Sequence, residues 1–320
     1  MLYPGKKRWG LLVLWLVMTG AATAWADGGV DSACSLTVLA NFENDAFFGD
    51  DRYYTTGFQL RFITPKLYEF SFGQQIYTPE DKKNPAYLPD DRPYAGYLYG
   101  TFAMHAAFGP AMDTWELALG VIGPSSRGKQ IQNSFHKLIG ANNAKGWSHQ
   151  LGDEFTAMLT WSRALRLNPD ASNHEGWGWD VLPFFTTSLG TPHTQAGLGA
   201  EFRTGWNLPN DFSSPATRPG TGVRVPTDSD SKGPRDGAFR IYFFAGAGGK
   251  AVLWNSFLDG NLWKKSHSIS KYPVVGEMNA GIVCEYGRLR LACTHVCRTK
   301  EFHGQKGSQN YGVVTVGWTF

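Results

Sequence analysis

The sequence predicts an all-β protein: a closed antiparallel transmembrane β-barrel of about 12 strands with a short helix in an extracellular loop. Three observations lead there. Charged residues are only 18% of the chain, aromatics reach 14%, and 38 glycines are spread along it, a balance suited to strands that meet lipid. Short segments alternate apolar and polar residues; Phe58, Leu60 and Phe62 share one face while Gln59 and Arg61 share the other. The C-terminus does the same, with Val314, Val316, Trp318 and Phe320 against Val313, Thr315, Gly317 and Thr319. An aromatic last residue on an alternating strand is a common ending of outer-membrane barrels, although a secreted β-sandwich also ends this way.

The chain opens with a secretory signal peptide. Lys6, Lys7 and Arg8 form a positive region, Leu11 to Met18 an apolar one, and Ala24-Trp25-Ala26 an A-x-A cleavage site. Residues 1–26 are therefore expected to be removed, leaving 27–320 as one barrel. The apolar run is too short for a helical span of about 20 residues, and no later segment offers one. A net charge of +3 is too small to suggest nucleic acid as a partner.

Strands are expected near 35–46, 55–64, 69–77, 97–108, 114–121, 154–165, 179–189, 194–206, 238–253, 267–284, 289–297 and 311–320. An even number closes an antiparallel sheet with both chain ends on one side. If strand 1 runs outward from the periplasm, the connections 47–54, 78–96 and 122–153 are extracellular. The same parity makes the Pro- and Ser-rich stretch 207–237 periplasmic, where barrel turns are normally short; that is the poorest fit to the scheme. The four cysteines, Cys34, Cys284, Cys293 and Cys297, lack a zinc-like spacing with a second ligand pair. In a strand Cys293 and Cys297 would stand roughly 13 Å apart, too far for a mutual disulfide.

Within the third outer connection, residues 130–140 read as a helix. Phe135, Leu138 and Ile139 form an apolar side, Gln132 and His136 lie one turn apart, and Gly140 is the expected stop. A His on the polar face of a loop helix is a candidate for chemistry; its plainer reading is a solvated side chain. No G-x-S-x-G, H-E-x-x-H or P-loop occurs, and no serine stands in a context that singles it out as a nucleophile. What the outer end does carry is oxygen ligands: Asn44 and Asp45 at the top of strand 1 and Thr55 at the top of strand 2, with Glu43, Asp50, Asp51 and Glu154 close by. Amide, carboxylate and hydroxyl oxygens suit calcium, while Asn-Asp and Asp-Asp also serve simply as turn formers.

Several runs occur in a telling order: Asn44-Asp45, Tyr54-Thr55-Thr56-Gly57, Asp91-Arg92-Pro93-Tyr94-Ala95-Gly96, Ile122-Gly123-Pro124, Gln132-Asn133-Ser134-Phe135-His136 and Gly146-Trp147-x-x-Gln150-Leu151. Together they resemble the lipid A 3′-O-deacylase family (LpxR type) of outer membranes, over essentially the whole mature chain. The resemblance implies a twelve-stranded barrel that removes the 3′-linked acyloxyacyl group of lipid A by calcium-dependent hydrolysis. It implies His136 as the catalytic histidine with Gln132 beside it. It also implies Asn44, Asp45 and Thr55 as polar site residues around Ca2+, and Lys82 and Lys83 as a basic pair for the anionic headgroup. The family pattern has a Glu six residues past the His, where this chain has Asn142. Asn142 keeps an oxygen but loses the charge, and Glu154 is the expected substitute carboxylate. The expected partner is lipopolysaccharide, with acyl chains along the outer wall and the site at the outer leaflet. A phospholipase-like barrel with a serine nucleophile, or a transport or binding barrel with an open lumen, are the alternatives.

Overall fold

Side chains of a strand alternate between its two faces, and here the two faces have opposite solvents. Outward positions carry large exposed apolar residues, among them Phe58, Phe72, Leu98, Trp115, Phe155 and Leu198. Inward positions bury charge: Arg61 and Glu69, both fully buried, form a bidentate pair at 2.9 and 2.6 Å, joined by His105. Apolar outside and paired polar inside is the inverse of a water-soluble protein and identifies the outer medium as lipid.

The computed structural model describes residues 36–48, 52–140, 142–168, 176–209, 211–212 and 239–320. Among them run twelve strands: β1 Thr37–Asn44, β2 Tyr53–Ile63, β3 Tyr68–Thr78, β4 Ala95–Phe108, β5 Ala111–Ile122, β6 Glu154–Leu165, β7 Trp177–Gly190, β8 His193–Trp206, β9 Phe239–Asn255, β10 Val274–Tyr286, β11 Leu289–Arg298 and β12 Gln309–Thr319. All pair antiparallel with their sequence neighbours, and β1 closes on β12 from Thr37↔Thr319 to Asn44↔Gly312. No helix among the described residues is long and apolar enough to cross a membrane. Each of the twelve expected segments is a strand. The largest boundary change is β10, which starts at Val274 rather than 267 because residues 267–273 turn away to bond other loops: Ile269 N to Leu258 O, Tyr272 N to Glu301 O. Pro273, with no N–H to give a ladder, marks the switch.

Among the described residues two α-helices belong to loops: α1 Gly128–Ile139 between β5 and β6, and the single turn α2 Ser256–Asp259 after β9. Helix α2 closes the loop end of the lumen. Phe257, fully buried, meets Tyr77, Tyr97 and His193 at ring separations of 4.3, 5.7 and 5.3 Å. At the other end, where Thr37 pairs with Thr319, the described part of the long β8–β9 connection folds back inside. Asp211 joins Arg203, which Asp180 also grips in a bidentate pair; Phe212 lies under Arg166. This explains the poor fit of that stretch to a short turn: its first residues are a plug. Between the two closures remains a cavity of about 210 Å3. Cys284, Cys293 and Cys297 are free; Cys34, Asp50, Asp51 and residues 1–26, expected to be a signal peptide, lie outside the described residues.

Candidate functional site

The site begins with a close approach of two backbones. In β4, Tyr97 and Tyr99 line the cavity while Leu98 is exposed, so Gly96 faces outward. There it meets Gly128, the first residue of α1: a Cβ on Gly96 would stand 2.9 Å from Gly128 Cα. Gln74, on the outer face of β3, donates its amide to the carbonyl of Ser126 just before the helix. Helix α1 therefore lies on the outside of the barrel wall, not over the lumen. Gly140, at φ 71°, ends it by donating its N–H to the carbonyl of His136.

This placement inverts the helix. Gly128, Gln132 and His136, spaced four apart, form the seam against the wall, with Gln132 and His136 2% and 5% exposed. Ile131 and Leu138 are half-exposed on the side away from it. Of the expected apolar side Phe135 packs on the barrel, against Phe42 of β1 at 5.6 Å, while Leu138 is exposed; the Ile139 side chain lies outside the described residues. In lipid an apolar outer side and a polar inner seam is the stable orientation.

Inside the seam the His and the Gln are held by different partners. His136 Nδ1 is 2.7 Å from the main-chain oxygen of Asn142. A carbonyl only accepts, so Nδ1 carries the proton and Nε2 keeps the basic lone pair. Trp147 Nε1 donates to Gln132 Oε1 at 2.8 Å, and Trp147 is itself buried against Tyr94. The Gln132 amide nitrogen is buried and has no partner among the described residues, so the cleft holds a donor beside a base.

The oxygen residues arrive from β1 and β2 on the same outer face. Glu43 lines the cavity, so Asn44 faces out, and its Nδ2 donates to Thr56 Oγ1 at 2.9 Å. Asp45 opens the 3-10 turn Asp45–Phe48 and is fully buried. Phe42 touches Phe47 of that turn at 5.8 Å as well as Phe135, so turn and helix flank one ring. A register shift between Tyr54 and Thr56 turns Thr55 toward β3, where its hydroxyl meets Thr78 Oγ1 at 2.8 Å. Lys82 is buried and its carbonyl accepts from Lys145 N and Tyr94 Oη, which ties the β3–β4 loop to the segment after α1; Lys83 is exposed.

Two expectations change. Glu154 is not brought to this face: it points inward, and its two carboxylate oxygens accept the N–H groups of Leu262 and Trp263 at 3.1 and 3.2 Å. A strand residue one position out of phase faces the other side of the wall, so Glu154 braces the β9–β10 loop. Asn142 contributes through its main-chain oxygen, with its side chain exposed. Residue-by-residue reading missed Thr56 and Trp147; both lay inside the quoted motif runs.

Among the described residues no three His, Cys, Asp or Glu side chains stand close enough to hold a metal. The donors on offer are hard oxygens: the Asn44 amide, the Asp45 carboxylate and main-chain carbonyls of the turn. One carboxylate among neutral oxygens fits calcium in donor type and does not fit zinc.

The family model described as outer membrane protein LpxR matches residues 11–320. Among solved structures, LpxR from Salmonella typhimurium superposes with a TM-score of 0.72 at 22% identity, covering 89% of this chain and 100% of that one. The β domain of the Bordetella autotransporter BrkA gives 0.40 at 10% identity over 91% and 99% of the two chains. The KdgM porin in complex with disordered oligogalacturonate gives 0.38 at 6% identity, over 89% and 99%. No curated protein matches the chain in sequence.

Proposed function

Because the chain belongs to the LpxR family of outer membrane proteins, we propose that it is an outer-membrane hydrolase that removes the 3′-linked acyloxyacyl chain of lipid A. The observation that carries this is the buried seam of Gln132 and His136 between α1 and the outer wall. A polar cleft on the lipid side of a barrel serves a substrate that never leaves the membrane. An ester at the boundary of headgroup and acyl chain meets the cleft while its chains lie on exposed residues such as Phe58 and Phe72.

His136 acts as general base. Its Nδ1–H is fixed on the Asn142 carbonyl, so Nε2 takes a proton from water as the water oxygen adds to the ester carbonyl carbon. The Gln132 amide donates to the developing oxyanion, with Trp147 holding the amide in orientation. Collapse breaks the bond to the sugar oxygen, which takes the proton back from His136. The products are the free acyloxyacyl acid and a sugar hydroxyl. Calcium, held by Asn44 and Asp45, would supply positive charge for the carbonyl oxygen. Lys82 and Lys83 bind anionic groups of the headgroup. The loop end faces outward, at the outer leaflet.

The alternatives have less support. Both ends of the lumen are closed by described residues, which disfavours transport. Ser126, the buried serine preceding the helix, donates its hydroxyl to the Gly123 carbonyl, which disfavours a serine nucleophile. Mass spectrometry of lipid A from cells with and without the protein tests the proposal; unchanged 3′ acylation in a membrane containing folded protein would refute it.

A further inference from the structure

A second cavity, of about 280 Å3, opens on the loop end between the β3–β4, β5–β6 and β9–β10 connections. Tyr87, His149, Gln150, Lys264, Lys265 and His267 line it. None of them belongs to the seam on α1. Gln150 is nevertheless three residues beyond Trp147, whose ring binds Gln132. Three residues span at most about 11 Å, so the cavity is a neighbour of the cleft.

Its chemistry is specific. Gln150 Oε1 is a buried acceptor with no hydrogen-bond partner among the described residues, and so is His267 Nε2. Burial pushes the pKa of His267 down, against the main chain at Pro89 and Asp91, and a neutral ring can present Nε2 as an acceptor. Two unpartnered acceptors call for a ligand rich in donors, because a buried polar atom left unpaired is costly. Lys264 and Lys265 bring cations to the same rim. Lys264 donates to the Asp153 carbonyl, while Lys265 is exposed and pairs with no carboxylate among the described residues. The nearby acids are already engaged: Asp91 accepts from the N–H groups of Glu80 and Arg92, and Asp153 from Ser125. Tyr87, half-exposed, stands 4.7 Å from the His267 ring and 5.8 Å from that of His149, an aromatic wall beside the acceptors.

Hydroxyl donors, an anionic group and a flat carbon face together describe one ligand class. We propose that this cavity is a saccharide subsite that binds a sugar carrying a phosphate or carboxylate, the polar end of the same amphiphile whose ester reaches His136. The sugar hydroxyls donate to Gln150 and His267, the anion lies by Lys265 and Lys264, and the ring rests on Tyr87. The identity of that sugar with the enzyme's own substrate rests on the deacylase reading; the subsite itself does not.

The test uses the full barrel in detergent, with histidine labelled for NMR and the His267 and His149 signals assigned by single substitution. N-acetylglucosamine 1-phosphate, N-acetylglucosamine and inorganic phosphate are titrated separately. The sugar phosphate is expected to shift His267 at concentrations at least tenfold lower than either part alone. Gln150→Leu and Lys265→Ala should each weaken it several-fold, with heat-modifiable migration unchanged. Gln150→Leu removes an acceptor that has no partner, so folding is expected to survive it. Phosphate binding as well as the sugar phosphate would reduce the cavity to a lysine patch and overturn the proposal. So would the absence of any shift, or indifference to Gln150→Leu. Because binding is read without turnover, a failure of deacylation leaves this result standing. If both hold, the two variants also raise KM for lipid A while kcat changes little.

Discussion

Gly96 of β4 and Gly128 of α1 touch backbone to backbone across the outside of the barrel: a Cβ on Gly128 would lie 2.8 Å from Gly96 Cα. This contact sets the distance between helix and wall, and so the width of the seam that holds Gln132 and His136. Gly96→Val is expected to push α1 outward while the strand ladder persists. A displacement near 1 Å at a catalytic constellation costs on the order of 10²-fold in rate. Deacylation rate and heat-modifiable migration, measured together, check this; a full rate in Gly96→Val would show that the seam tolerates a wider gap.

His136 and Asn142 give a paired test. His136→Asn keeps a polar group without the base and should lose roughly 100-fold or more. Asn142→Ala should stay within a few-fold of the parent, because the main-chain oxygen that holds Nδ1 remains. A large loss in Asn142→Ala would assign a role to its side chain instead.

Metal removal separates Asp45 from Glu154. With calcium in the mechanism, a chelator should abolish turnover, calcium should restore it better than magnesium, and Asp45→Ala should mimic the chelated state. Glu154→Gln should leave the calcium requirement unchanged, since its carboxylate lies inside the wall on the N–H groups of Leu262 and Trp263. Its expected effect is faster proteolysis of the β9–β10 loop. A raised calcium requirement in Glu154→Gln would return it to the metal site.

Glu301, in the β11–β12 connection, ties that loop to Arg92 at 3.4 Å and Arg298 at 3.6 Å. Burial pushes its carboxyl up, but Arg298 and Arg92, with smaller contributions from Lys250 and His193, together hold it below the ordinary carboxylate value. A depressed carboxylate stabilises above its unfolded pKa and loses that contribution as pH falls through the folded one. The loop should therefore stay protease-resistant from neutral pH down to about pH 4 and open only under stronger acid. Glu301→Gln should be cleaved faster over that range and converge with the parent in stronger acid. Limited proteolysis across pH checks both arms, and an equal rate for parent and variant at neutral pH would count against the lock.

Much of this was legible in the chain itself. Alternation at period 2, as in Phe58-Gln59-Leu60-Arg61-Phe62, specifies strands because lipid outside and a polar lumen inside reward it directly. Twelve such segments determine closure and put both termini at one end. The spacing of Gln132, His136 and Gly140 determined a helix with a His on one face, since these are local effects of 3.6 residues per turn and of glycine at φ above zero. Tertiary structure decided the rest. That α1 lies on the outer wall follows from the bare backbones of Gly96 and Gly128, 32 positions apart, meeting without a Cβ between them. That Glu154 is a brace follows from its phase in β6, which turns it toward a loop 108 residues away. That the lumen is stoppered follows from Phe257 and Asp211 folding back onto strands remote in sequence. Periodicity carries no information on which distant backbone groups closure will bring together; only the packed barrel makes those pairings.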